Sequence, residues 1–97
     1  MPGNLVRNQQ TVTVTGGNTL LLGGNLKRRR LMVSTPKTAT VWLNFAGPAA
    51  VGTGIAVRPG TSVLVLEEDV IGGAIMEEIR AISDGVAETI GVVEFFR

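Results

Sequence analysis

The sequence predicts an all-β domain, a small antiparallel β-sandwich or barrel-like fold with an extended N-terminal arm. Short runs of alternating apolar and polar residues recur along the chain, as expected for strands with one buried face. Turn residues separate these runs, above all the Gly-Gly-Asn segments at 16–18 and 23–25. The 97 residues, of which 44% are hydrophobic, suit one domain with a single core. We expect residues 1–10 to form the arm and residues 11–97 to form a single β domain.

The most regular stretch runs from Arg28 to Phe45 and predicts two strands joined by a short loop that contains Pro36. Within it, both Leu31–Ser34 and Val41–Phe45 alternate between two sets of side chains, which is the period of two of a half-buried strand. We interpret this stretch as a central β-hairpin, around which the shorter strands pack.

Shorter strands are predicted on both sides of this hairpin. Thr11–Thr15 consists of β-branched residues, and Thr19–Leu22 returns after a turn. A short strand is expected near Ile55–Val57. Thr61–Leu66 is apolar on both faces after Ser62, which indicates a strand covered on two sides.

The C-terminal part predicts a second hairpin. Asp84-Gly85 is a hairpin signal, and the following segment 86–95 alternates, with Glu88 and Glu94 on the same side as Ile90 and Val92. The preceding segment is ambiguous because Ile75, Ile79 and Ile82 have helical spacing. We expect a strand from about residue 78 and leave residues 70–78 open between helix and strand.

Two N-terminal features allow several interpretations. Residues 1–10 are polar, and they are either a frayed end or an arm that becomes ordered on a partner. Lys27–Arg30 is the densest charged run. It is a solvated strand edge, a docking site for an acidic protein, or a nucleic-acid patch, although a patch of that kind normally carries interleaved aromatic residues.

The composition argues against an enzyme. The chain has no histidine and no cysteine, which removes the commonest general base, the thiolate nucleophile and most metal-ligand sets. Gly52-Thr53-Gly54 lacks the third glycine and the βαβ context of a dinucleotide-binding loop, and the acidic residues at 67–69 and 77–78 match no calcium-binding loop. We expect no catalytic residues, no cofactor and no metal.

Composition also argues against nucleic-acid or membrane partners and for self-assembly. The net charge is +1, and charges and prolines interrupt every apolar run well before the length of a membrane span. Only 18% of the residues are charged, against about 25% in average globular domains. We therefore expect an oligomer whose interface includes apolar and aromatic residues: Trp42, Leu64, Leu66, Phe95 and Phe96.

Three segments resemble small virion proteins of tailed bacteriophages. They read RRRLMVST from Arg28, VWLNFAGPAAVGTGIAVRPGTSV from Val41, and EEIRAISDGVAETIGVVEFF from Glu77. The similarity is to head decoration (cement) proteins and to the base domains of head fibres. It covers about two-thirds of the chain, although the N-terminal third does not match clearly and the basic run is denser here.

The resemblance implies a β-sandwich, often trimeric, bound to the outside of a capsid. The expected partners are then the major capsid protein and further copies of the chain as a homotrimer, and the location is the virion exterior after synthesis in the host cytoplasm. The alternative function is a head-fibre or tail-associated module that binds carbohydrate or the host surface. The expected capsid contacts are in the arm and the basic run: Leu5, Val6, Arg7, Lys27, Arg28, Arg29 and Arg30.

Overall fold

The structure is a computed structural model that describes residues 6–60 and 63–97. The described residues form eight strands: β1 Val6–Val14, β2 Thr19–Leu22, β3 Arg28–Val33, β4 Val41–Phe45, β5 Ile55–Val57, β6 Leu64–Glu67, β7 Ile79–Ser83 and β8 Glu88–Phe96. A short helix, α1 Glu68–Ile71, and a 3-10 helix, Gly72–Met76, connect β6 to β7.

The strands form two four-stranded antiparallel sheets that pack face to face. The first sheet has the order β1-β8-β3-β6, and the second has the order β2-β7-β4-β5. The pairs β1·β8, β2·β7, β3·β6 and β4·β5 are all antiparallel, so the chain follows one long hairpin wound into two layers. This topology is that of a jelly roll. The predicted all-β antiparallel sandwich is confirmed.

The predicted hairpin from Arg28 to Phe45 is wrong in its pairing. Strand β3 lies in the first sheet and β4 in the second, and the connection between them crosses from one layer to the other. The same is true of the turn at Asp84-Gly85 between β7 and β8, and of the turn between β1 and β2. Of the described neighbours in sequence, β4 and β5 alone pair with each other.

The connection from β3 to β4 is held by one buried carboxylate. Glu88, at the start of β8, accepts hydrogen bonds from the backbone N–H groups of Lys37, Thr38 and Ala39 at 2.8, 3.0 and 2.8 Å. These bonds favour the ionised carboxylate, and those from Ala39 and Lys37 contribute most to lowering the pKa of Glu88 from its ordinary 4.5. The local partners that a hairpin would supply are thus replaced by a side chain from a distant strand.

The core lies between the two sheets. Inward-facing aliphatic residues from both layers are fully buried, among them Leu31, Val41, Leu43, Ile79 and Ile90. Ile75, in the 3-10 helix, closes one end of this core and is also fully buried. The segment left open at 70–78 is therefore mostly helical, and the strand expected from about residue 78 begins at Ile79.

Half of the predicted arm is part of a strand. Residues 6–10 belong to β1 and pair with Val92–Phe96 of β8, so the boundary placed at residue 10 is corrected. The reason is that β8 extends to Phe96 and offers its backbone along this whole length. Residues 1–5 lie outside the described residues, and so does the expected contact residue Leu5.

The β4–β5 loop folds back onto the second sheet. Asn44 and Thr53 exchange two hydrogen bonds, and the Asn18 side chain accepts the N–H of Ala49 at 2.9 Å. Gly54 has φ +80°, and a Cβ there would lie 2.0 Å from the carbonyl oxygen of Leu43. Only glycine allows this close approach, which brings the loop against the outer side of β4.

Candidate interaction surface

The outer side of the first sheet is the candidate surface, and we call it the first face. It consists of residues that alternate with the buried positions of four adjacent strands: Arg7, Gln9, Thr11, Arg30, Met32, Ser34, Val63, Val65, Glu67, Gly91, Val93 and Phe95. Val63 and Val65 are 49% and 41% exposed. An exposed apolar patch bounded by polar residues marks an interaction site more often than isolated exposed residues do.

The centre of the first face is an apolar row. Strand register places Val93 beside Met32, and Met32 beside Val65. Gln9 continues the row on β1, next to Val93. Because neighbouring strands lie about 4.8 Å apart, these side chains form one continuous strip across the sheet.

A charged row borders this strip at the C-terminal end of β8. The guanidinium of Arg30 lies over the ring of Phe95, 5.7 Å from its centroid. Its Nε is 3.7 Å from Glu67 Oε2, beyond hydrogen-bonding distance. Arg7 pairs in register with Phe95 on the other side and is exposed. Cationic groups therefore flank an aromatic ring at this border of the first face.

On the opposite side of the strip, an open groove of about 570 Å³ lies over Gly91. Its lining includes Gln9, Thr11, Ser34, Val63 and Gly91. Gly91 leaves the groove open because it has no side chain, and its N–H donates to Ser34 Oγ at 2.7 Å. The groove combines an aliphatic lining with amide and hydroxyl groups.

Arg28 is not on any surface, so its predicted role as a capsid contact is wrong. The residue is 1% exposed, and its Nε lies 3.0 Å from Glu94 Oε2. Its Nη1 donates to the carbonyls of Ile75 and Glu77, and its Nη2 donates to that of Gly23. A β-bulge between Arg28 and Arg30 turns the side chain inward, as bulges commonly do.

The rest of the basic run divides between ion pairs and solvent. Arg29 is half-buried, with its Nε 3.7 Å from Glu68 and its Nη1 donating to the carbonyls of Leu26 and Arg28. Arg30 belongs to the first face. Lys27 is exposed. The four residues therefore do not form one basic patch.

The five expected interface residues do not lie together. Leu66 is 5% exposed and belongs to the core, and Leu64 is half-buried against it, so Leu66 is corrected to a core residue. Trp42 is half-buried on the outer side of the second sheet, whereas Phe95 is on the first face. Phe96 is half-buried at the end of β8, on the inward side. One flat interface cannot contain both Trp42 and Phe95.

Val63 and Val65 were not predicted as surface residues because the sequence does not show which side of β6 faces the core. Leucines and valines alternate from residue 63 to 66, and either set could face the core. Pairing of Leu66 with Leu31 decides that the leucines are inside. Of the expected contact residues in the arm, Arg7 is exposed on the first face, and only the backbone of Val6 is described.

Neither a metal-binding cluster nor a membrane-spanning helix occurs in the described part of the chain. Residues 6–60 and 63–97 contain no group of three or more acidic, histidine or cysteine residues able to hold a metal ion. No helix in the same ranges is long and apolar enough to cross a membrane.

Comparison with known proteins gives a fold likeness. No protein-family model matches the sequence, and no curated protein matches it. Among solved structures, a protein from the disulfide-linked pili that form Bacillus endospore appendages superposes with a TM-score of 0.53 at 13% identity, covering 95% of this chain and 87% of that one. At this identity the likeness is one of overall fold.

Proposed function

We propose that this chain is a structural virion protein of a tailed bacteriophage, which binds as an oligomer across the major capsid subunits and stabilises the capsid. The observation that carries the proposal is the first face, where the exposed Val63 and Val65 and the half-buried Met32 and Val93 form an apolar surface on one sheet. The resemblance of the segments from Arg28 onward to head decoration proteins supports the choice of partner.

The mechanism is thermodynamic linkage. A protein that binds the assembled lattice and not its separated subunits stabilises the lattice by mass action. Many copies on a repeating lattice also gain from multivalency, because neighbouring contacts raise the effective concentration of the next. Neither effect needs a catalytic group, so we propose that the chain is not an enzyme.

The test compares two valine substitutions. Val65→Lys introduces a charge on the first face, and Val86→Lys introduces the same charge at a 60% exposed position in the β7–β8 connection. Both sites are exposed, so both variants should melt close to the unmodified protein. We expect Val65→Lys to weaken binding to empty heads of the encoding phage about tenfold or more, because a buried valine is worth about 1.5–3 kcal/mol.

Cosedimentation of each variant with empty heads measures the effect, and head melting in the presence of each variant measures the stabilisation. Equal affinity of Val65→Lys and Val86→Lys would remove the first face as the capsid contact. Absence of binding by the unmodified protein would refute the capsid proposal itself.

A second candidate is a head-fibre or tail-associated module that binds carbohydrate. The groove over Gly91 favours it, because the amide of Gln9 and the hydroxyls of Thr11 and Ser34 are groups that bind sugar hydroxyls. Glycan-array binding that is lost in Gln9→Ala, with capsid binding absent, would favour this function over capsid decoration.

A third candidate function is that of a filament subunit. The solved structure with a similar fold comes from disulfide-linked pili. These 97 residues contain no cysteine, so a fibre built from them would be held without disulfide bonds. Electron microscopy of the concentrated protein distinguishes a filament from a closed oligomer.

A further inference from the structure

The free edge of β1 differs from the other sheet edges of the described structure. Strand β1 spans nine residues, and its register with β8 continues without interruption from Val6↔Phe96 to Val14↔Glu88. The edge strands β5 and β6 have three and four residues, and β2 has four residues with a register shift. Short or bulged edges discourage pairing with other chains, whereas a long regular edge is a template for it.

Apart from Arg7 near its start, the edge of β1 also lacks the residues that normally block pairing. From Asn8 to Val14 it contains no charged residue and no proline. Residues 7–11 and 13 are exposed. Proteins usually protect such an edge with lysine, proline or a bulge.

The hydrogen bonds of Gly91 show which backbone groups of β1 point outward. Gly91 uses its carbonyl and its N–H toward Ser34, on the β3 side. Because backbone groups alternate along a strand, the even-numbered residues of β8 bond to β1. Their register partners are the even-numbered residues of β1. The N–H and C=O groups of Arg7, Gln9, Thr11 and Thr13 therefore point to the free edge.

We propose that two copies of this chain pair antiparallel through their β1 edges, about a two-fold axis at Gln10, so that their first sheets join into one continuous sheet. Strand β1 runs from Val6 to Val14, and Gln10 is its middle residue. Full-length antiparallel pairing then places Gln9 opposite Thr11 and Arg7 opposite Thr13. The four outward-pointing residues of each copy meet as hydrogen-bonded pairs.

The side chains fit a second copy of this chain. Amide groups meet hydroxyl groups at Gln9 and Thr11, and the two Arg7 residues lie at opposite ends of the paired strands, so no like charges face each other. Gln10 faces Gln10 in a non-hydrogen-bonded pair, the closer of the two pair types, where side chains interact most strongly. Both copies present the first face on the same side, which gives the proposed capsid contact a two-fold repeat.

The inference rests on the proposed function only for its biological use, because the pairing itself is a property of the protein in solution. Gln10→Lys places two ammonium groups opposite each other at the axis, and Gln10→Glu places two carboxylates there. We expect each variant alone to pair about fivefold or more weakly than the unmodified protein, and an equimolar mixture to recover pairing as a heterodimer. Ala87→Lys, at an exposed residue of the β7–β8 connection, is the charge control and should pair normally.

Sedimentation equilibrium over a range of micromolar concentrations measures the mass, and amide hydrogen exchange measures the contact. The expected results are twice the chain mass and a concentration-dependent protection of the amides of Gln9, Thr11 and Thr13, with those of Gln10 and Val12 protected at every concentration. A mass of one chain, a mass of three chains, or a dimer without this alternation would each overturn the inference. Head binding by a protein of one or three chain masses would still support the proposed function.

Discussion

Replacing Arg28 by methionine should remove much of the stability of this domain. The change leaves Glu94 as a 6% exposed carboxylate, with Asn8 Nδ2 at 3.2 Å as its remaining side-chain donor. It also leaves the carbonyls of Gly23, Ile75 and Glu77 without the guanidinium that now donates to them. The four contacts join β3, β8, the 3-10 helix region and the β2–β3 connection at one end of the sandwich.

The expected loss is about 3–5 kcal/mol, the usual cost of removing one partner from a buried ion pair. Small domains are stable by about 5–15 kcal/mol in total, so the variant should lie close to the limit of folding. Because 1 kcal/mol changes the melting temperature of a domain of this size by about 4–8 °C, the melting temperature should fall by roughly 12–40 °C.

Arg29→Met is the matched control, since it makes the same substitution one residue later. Arg29 is half-buried, its Nε is 3.7 Å from Glu68, and its Nη1 donates to the nearby carbonyls of Leu26 and Arg28, so its loss should cost about 1–2 kcal/mol, less than the loss of Arg28. A double variant, Arg28→Met with Glu94→Leu, should be more stable than Arg28→Met alone, because it removes the unpaired carboxylate.

Urea denaturation followed by the fluorescence of Trp42, the single tryptophan, measures all of these variants. Equal losses for Arg28→Met and Arg29→Met would refute the assignment of Arg28 as the buried centre of a polar cluster. A double variant less stable than Arg28→Met would show that Glu94 is stabilised without its partner.

Two further predictions concern the connections between strands. The pKa of Glu88 is lower in the folded protein than its ordinary 4.5, so its stabilising effect is present above pH 4.5 and is lost as the pH falls through the lowered value. Melting curves from neutral to acidic pH should show this loss, and Glu88→Gln should be less stable at neutral pH and should depend less on pH. The same pH profile for Glu88→Gln and the unmodified protein would contradict the role given to the carboxylate. Gly54→Ala should destabilise the protein by about 1–3 kcal/mol more than Gly52→Ala. Both glycines have positive φ (+80° and +87°), but only a Cβ at Gly54 would meet Leu43. Equal melting temperatures of the two variants would show that the β4–β5 loop can move away from Leu43.

Much of the local structure could be predicted from the sequence. Alternation of side chains over Leu31–Ser34 and Val41–Phe45 places β3 and β4, and the same pattern places Glu88 and Glu94 on the inward side of β8. Both acids are buried there, with backbone N–H groups and Arg28 as their partners. A carboxylate on an apolar face was thus a sequence signal for these two polar contacts.

The candidate surface could be predicted only in part. Low charge and apolar composition indicated a contact surface, but its residues could not be chosen because an apolar run with two apolar faces has no phase of its own. Register with Leu31 turns Leu66 inward and Val65 outward. The prediction that Arg28 is a surface contact was wrong for a similar reason. One extra residue in β3 turns the Arg28 side chain to the opposite side from the one that simple alternation gives.

The sequence by itself determined that the chain is an antiparallel β domain, where most of its strands lie, and that it contains no histidine and no cysteine. The tertiary structure alone decided which strands are neighbours. A turn such as Asp84-Gly85 reverses the chain equally well within one sheet or between two sheets, because its own backbone geometry is short-range. The choice is made by burial of both strands' apolar faces in one core and by long-range partners, such as Glu88 for the β3–β4 connection, and neither is encoded within the turn itself.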